Sequence, residues 1–246
     1  MTETKLKILL IGYGKMGRAI ETLARERGHT IVACISDKQI DIGHICKAYQ
    51  PNIAFEFTSP ESAPGNIKIL LEAGVPIVSG STGWQGEWES IRKMALEKKG
   101  SLFHSSNFSL GMNLLFHLAE VAGQFMNLHP DYEVSIEEIH HTEKKDMPSG
   151  TAITLAERIM RSMKAKKSWV LNEDSTPDSI GILAQRQPNV PGTHVVSFSS
   201  PIDTIQLSHT AHSRLGFASG AVQAGEWLLG KNGVFSMEDL LADRFY

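Results

Sequence analysis

The first hundred residues alternate short apolar runs with amphipathic stretches. Residues 7–11, 31–36, 53–58, 76–79 and 101–105 are short and apolar-rich, as strands covered on both faces of a parallel sheet must be. Between them, residues 16–27, 61–73 and 87–98 place apolar side chains at helical spacing. Gly28, Gly74 and Gly100 each follow the end of such a stretch, where a left-handed C-terminal residue suits glycine. Strand–helix alternation with short connections predicts a doubly wound α/β domain with right-handed crossovers.

After residue 108 the period changes. Residues 110–126 predict a long helix with Leu114, Leu118 and Val121 on one apolar stripe. Residues 131–139 alternate, with Tyr132, Val134 and Ile136 on one face and Glu133, Ser135 and Glu137 on the other, which predicts a strand exposed on one side. Residues 151–164 read as a second amphipathic helix, residues 172–179 as a polar loop, and residues 193–199 and 204–211 as paired strands. These elements predict an inserted α+β layer with a mixed open sheet. A helix over residues 217–230 is able to return to the first domain. The expected division is a dinucleotide-binding domain of residues 1–108 and 216–246, and a substrate-binding and oligomerisation domain of residues 109–215.

Composition narrows the class without naming a function. A chain of 246 residues with 41% hydrophobic and 21% charged residues can bury a core unaided. A net charge of −3 gives no basic field, so neither nucleic acid nor an anionic membrane is an expected partner. Cys34 and Cys46 stand in no metal or redox spacing, the start lacks a signal-peptide layout, and no run is long enough to span a bilayer. A reduced, cytoplasmic protein is expected.

Chemistry enters at the first turn. Gly12-Tyr13-Gly14-Lys15-Met16-Gly17 directly follows the first strand and opens the first helix. GxGxxG alone is weak evidence, but this setting makes the domain Rossmann-like. Gly12 permits the turn, Gly14 lets backbone approach a pyrophosphate, and Gly17 allows close helix–strand packing. The helix start offers free N–H groups and partial positive charge. Asp37, just after the second strand, is placed to accept from adenosine ribose hydroxyls, which favours NADH. Lys38 and Lys15 add positive charge that admits NADPH. Gly80, Ser81 and Thr82 after the fourth strand, and Ser105, Ser106, Asn107 and Phe108 after the fifth, complete the expected cofactor set.

The most informative segment runs from Glu138 to Thr151. His140, His141 and Lys144 precede Pro148-Ser149-Gly150-Thr151, a helix entry whose N–H groups and hydroxyls suit a carboxylate. Lys144 and a protonated histidine suit a second carboxylate, and a histidine can deliver a proton near neutral pH. A metal site built from His140, His141, His209 and His212 is the competing reading, but no cysteine or carboxylate cluster completes it, so no metal is expected.

His140-His141-x-x-Lys144-x-Asp146-x-Pro148-Ser149-Gly150-Thr151-Ala152 resembles the signature of the 4-hydroxy-tetrahydrodipicolinate reductase (dihydrodipicolinate reductase) family. The likeness continues through Lys15-Met16-Gly17-Arg18, Phe57-Thr58-Ser59-Pro60-Glu61, Gly80-Ser81-Thr82-Gly83, Asn107-Phe108-Ser109-Leu110-Gly111, Val190-Pro191-Gly192-Thr193 and Ser213-Arg214 with Phe217-Ala218 and Gly220-Ala221. The resemblance implies reduction of a cyclic imine dicarboxylate to tetrahydrodipicolinate with NADH or NADPH, in diaminopimelate and lysine biosynthesis. It implies His140 as the acid–base residue, Lys144 as proton donor or electrophilic helper, and His141, Ser149, Gly150 and Thr151 as substrate holders. It also implies a homotetramer joined through the substrate-domain sheets. Lys15 stands where many members carry arginine, which bears on affinity for a 2′-phosphate, and the region before Val190 is shortened. Another two-domain nicotinamide dehydrogenase, or a non-catalytic NADH sensor, would share the first domain but not the histidine–lysine segment.

Overall fold

A computed structural model describes residues 5–36, 40–172, 175–213 and 215–245. Asp37, Lys38 and Arg214 lie outside them. The fold begins with five parallel strands, β1 (Lys7–Ile11), β2 (Thr30–Ile35), β3 (Ile53–Glu56), β4 (Ile77–Ser79) and β5 (Ser101–His104). They are linked by α1 (Lys15–Glu26), α2 (Ile42–Tyr49), α3 (Ala63–Glu72) and α4 (Trp88–Glu97). In β1, Ile8 and Leu10 enter one hydrophobic cluster with Ile20 and Ala24 of α1, while Leu9 and Ile11 enter another with Ile67 and Leu70 of α3. Burial on both faces explains why these strands are continuously apolar.

Gly28 and Gly74 take the expected left-handed backbone, with φ of +82° and +69°. At the end of α4 the left-handed residue is instead Lys99, with φ of +50°. Gly100 answers a different need there: a Cβ on it would stand 2.8 Å from Leu71 Cδ2.

The second compact unit, Gly111–Arg214, holds its own sheet. It contains most of α5 (Leu110–Met126), then β6 (Glu133–His140), α6 (Gly150–Ser162), β7 (Ser168–Leu171), β8 (Ser179–Arg186), β9 (Gly192–Ser199) and β10 (Thr204–Ala211). The order is β10-β9-β6-β8-β7, antiparallel across β10, β9 and β6 and parallel across β6, β8 and β7. Both helices cover one face: Val134, Ile136, Ile182, Val196 and Phe198 pack on Leu115, Phe116, Leu155 and Ile159. The long helix turns a different stripe inward from the one expected. Met112, Leu115, Phe116 and Ala119 are buried, whereas Leu114 and Leu118 face outward.

The chain then returns to the first unit, which comprises Met1–Leu110 and Leu215–Tyr246. Helix α7 (Leu215–Leu228) buries Ala218, Ala221, Val222, Ala224 and Leu228 in the same cluster as Ile8 and Leu10. Strand β11 (Gly233–Phe235) pairs parallel to β5, and α8 (Met237–Phe245) follows. The completed sheet reads β11-β5-β4-β3-β1-β2, so strand order reverses beside β1. No helix among the described residues is long and apolar enough to cross a membrane.

Candidate functional site

At the carboxyl ends of β1, β2 and β3 lies a cavity of about 490 Å³, where ligands of doubly wound sheets bind. Gly12, Tyr13 and Gly14 line it, together with Ile35, Ile40, Ile42, Thr58, Ser59, Ser62 and Asn66. The three glycines of the turn meet different surroundings. A Cβ on Gly12 would fall 2.0 Å from the Phe57 carbonyl oxygen, and one on Gly17 would fall 2.2 Å from that of Gly12. A Cβ on Gly14 would meet nothing within 4 Å. Gly14 is also the N-cap of α1 and gives no side-chain cap, so the first-turn N–H groups are left for an anion. This cradle fits a dinucleotide pyrophosphate.

The other expected cofactor residues divide between surface and core. Lys15 and Thr82 are exposed, as is Ser106, while Met16 packs against the core. Ser81 is buried and accepts from Thr58 N–H at 2.8 Å, tying the loops after β3 and β4 together. Gly80 is required there, because its Cβ would lie 2.1 Å from the Phe57 ring. Phe108 is buried against Phe57 and Phe103, leaving its backbone rather than its ring for a ligand. Ser105 Oγ donates to the Asn107 carbonyl at 2.8 Å, and Asn107 Oδ1 accepts from Ser109 N–H at 2.9 Å, which shapes a compact turn.

In the second unit the chemistry gathers at the ends of three strands. Register places Glu138 opposite Ala184 on β8 and His194 on β9, and His140 opposite Arg186. Glu138, His140, Arg186 and His194 share the inward face with Ile136, Ile182 and Val196. Glu138 is fully buried. Its Oε1 accepts from Ser149 N–H at 2.9 Å and from both terminal nitrogens of Arg186 at 3.3 Å. Its Oε2 accepts from the Ser149 hydroxyl and lies 3.4 Å from His140 Nδ1 and 3.7 Å from His194 Nε2.

Ser149 is the N-cap of α6, its Oγ accepting from Ala152 N–H at 3.1 Å. With that oxygen also bonded to Glu138, the Ser149 side chain is committed to the protein. Gly150 is exposed and Thr151 half-buried, so the helix start presents backbone at the surface. Lys144 Nζ lies 2.8 Å from both oxygens of Asp146. Burial tends to raise the Asp146 pKa, but the Lys144 ammonium and the Gly150 N–H outweigh it and hold the carboxyl below its ordinary value.

Burial pushes the His140 pKa below its ordinary value against the opposing pull of the Glu138 carboxylate, with Lys144 and Arg186 also lowering it. For His194, burial and the neighbouring His140, His209 and Lys144 bring the pKa to about 3. Burial thus works against a standing positive charge on either of these two imidazoles. Glu138, His140 and His194 also bring one donor atom each within 4.8 Å of one another, a metal-like grouping that shares only His140 with the histidines considered on sequence alone. Its carboxylate is already occupied by Ser149 and Arg186, so the set fits a hydrogen-bond hub better than a cation site. His141 is half-buried beside this segment.

Two family models match the chain in succession. They are dihydrodipicolinate reductase, N-terminus, over residues 6–108, and dihydrodipicolinate reductase, C-terminus, over residues 111–241. A 4-hydroxy-tetrahydrodipicolinate reductase from Christiangramia forsetii is 43% identical over 241 residues, covering 98% of this chain and 99% of that protein. Its counterpart from Methanospirillum hungatei is 32% identical and covers 96% and 98%. A dipicolinate-bound dihydrodipicolinate reductase from Paenisporosarcina sp. TG-14 shares the fold with a TM-score of 0.81, at 21% identity and coverage of 95% and 98%.

Proposed function

The chain belongs to the dihydrodipicolinate reductase family, and we propose that its second unit grips a cyclic dicarboxylate with the start of α6, Lys144 and His140. The reaction is the NADH- or NADPH-dependent reduction of 4-hydroxy-tetrahydrodipicolinate, through the dehydrated ring, to tetrahydrodipicolinate in diaminopimelate and L-lysine biosynthesis. What supports the site assignment above all is one local arrangement. A buried carboxylate anchors Ser149, so that α6 opens beside the Lys144 ammonium and the His140 imidazole.

A dinucleotide held at the start of α1 would supply a hydride for the far end of the conjugated imine. The chain must hold the two carboxylates and deliver one proton to the enamine that forms. The Thr151 N–H, and the Gly150 N–H once it exchanges its bond to Asp146, hold one carboxylate, and His141 and Lys144 meet the other. His140, neutral in the free protein, gains proton affinity when a doubly anionic ring lies beside it, and Nε2 then donates to the ring. Lys144 stabilises the charge that develops there. In the first unit, the uncapped start of α1 holds the pyrophosphate, and Asp37 with Lys15 and Lys38 sets the choice between the two dinucleotides.

The enzyme works in the cytoplasm as a homotetramer joined through the outer face of the second sheet. That face is supplied in part by Ser135, Ser197 and Gln206, and β10 is one of the sheet's two edge strands. Incubating the protein with freshly generated pathway substrate should oxidise both NADH and NADPH, with NADH preferred, and sedimentation should report four subunits. Absence of turnover with either dinucleotide would sink the reading.

A further inference from the structure

A carboxylate with no solvent exposure is costly unless fully compensated, and the position of Glu138 suggests what it does. Building on the reductase reading above, we propose that Glu138 is a positioning residue that locks the proton-donating imidazole of His140 and the anion-holding start of α6 into one rigid piece. Its two oxygens reach three separate elements. Oε1 takes the Ser149 N–H at the start of α6 and the Arg186 guanidinium from β8. Oε2 takes the Ser149 hydroxyl and faces the Nδ1 of His140, two residues along β6.

His140 Nδ1 is buried, makes no hydrogen bond among the described residues, and has the Glu138 carboxylate as its close charged neighbour. The carboxylate 3.4 Å away therefore decides which ring nitrogen carries the proton. It favours Nδ1–H and leaves Nε2 as the working atom. Gly192 stands on that other side, where a Cβ would come within 3.1 Å of Nε2, so the start of β9 leaves the nitrogen room. The charged and titratable groups around this imidazole are Glu138, Lys144, Arg186, Asp146 and the His194 ring, whose centroid is 5.0 Å away. Of these, Glu138 is the nearest anion, and the pull of its charge opposes burial. Arg186 pairs with that carboxylate inside the fold, and itself donates to the Asp146 carbonyl at 2.5 Å, holding the lysine loop to the same hub.

The test uses the full-length protein labelled with ¹⁵N-histidine, the His140 signal being assigned by its loss in His140→Asn. Wild type, Glu138→Gln and Glu138→Asp are titrated by NMR and assayed, after circular dichroism and NADH binding have established that each is folded. In Glu138→Gln the His140 titration should move to lower pH and its Nδ1–H tautomer should give way. Its kcat should fall about 100-fold, with the basic limb of the pH profile moving the same way and the KM for NADH unchanged. Glu138→Asp keeps a carboxylic acid at the position, and should show the same movements, smaller, so it serves if the Gln variant does not fold. An unchanged His140 titration and tautomer in whichever variant folds would overturn the proposal. The wild-type assay by itself tests the reductase reading, and the histidine titration judges Glu138 whether or not that assay succeeds.

Discussion

The two residues assigned to the chemistry of the second unit differ in how firmly the protein holds them. His140 is buried between two strands, whereas Lys144 sits on a loop and pairs with Asp146. Both are assigned to the proton and charge that accompany hydride transfer, so His140→Ala or Lys144→Ala should each lower kcat by at least ~100-fold. NADH binding should survive, because the cradle of Gly12 and Gly14 belongs to the other unit. His141→Ala and Thr151→Ala should mainly raise the KM for the dicarboxylate. Steady-state kinetics beside a fluorescence titration of NADH separates these outcomes, and near-normal turnover in either of the first two variants would refute their roles. His140 and Lys144 were legible in the sequence because they sit in one short segment. Glu138, Arg186 and His194 were not, although the signal existed. The alternation that sends Val134 and Ile136 inward also sends Glu138 and His140 inward when carried further along β6. What brings Arg186 and His194 to them is strand register, which local alternation does not contain.

The turn into α1 shows how one helix serves packing and ligand at once. Gly17→Ala would drive a methyl into the Gly12 carbonyl, and because that neighbour is backbone the helix must move. We expect a loss of about 1–3 kcal/mol of stability together with weakened NADH binding. Gly14→Ala faces open space and has φ of −82°, so thermal melting should be unchanged while NADH binding falls. Equal effects of the two substitutions on melting would contradict this division. The alternating strands and helices of the first unit were legible because each strand is continuously apolar and most helices are amphipathic. Helix α2 was missed: it is eight residues long, and its start is marked only by Asp41 accepting from His44 N–H at 3.0 Å. Strands β7 and β8 were missed beside a polar loop that masks their alternation. The stripe chosen on α5 was the wrong one because that helix is apolar on more than one side, and periodicity cannot then say which side the sheet covers.

For the protein as a whole, burial of uncharged histidines sets the response to acid. His104 in the first unit and His140, His194 and His209 in the second all have pKa values lowered by burial from the ordinary 6.5. A folded-state pKa below the unfolded one means that the unfolded chain takes up protons first. The stability these groups supply is complete above 6.5 and is lost as pH falls, for His194 down to about 3. Asp146, lowered from 3.8, joins only at the bottom of that range. Scanning calorimetry should therefore show the melting temperature falling between pH 6.5 and pH 4, and His194→Gln should flatten the fall; a flat wild-type profile would refute the assignment. The threading of the chain carries a separate consequence. The second unit is a single continuous stretch, whereas α7 and β11 must come back to fill the first cluster and cover β5. During synthesis the nucleotide-binding half thus emerges first but stays unfinished, with apolar surface and an open strand edge in need of shelter, until the last thirty or so residues have left the ribosome.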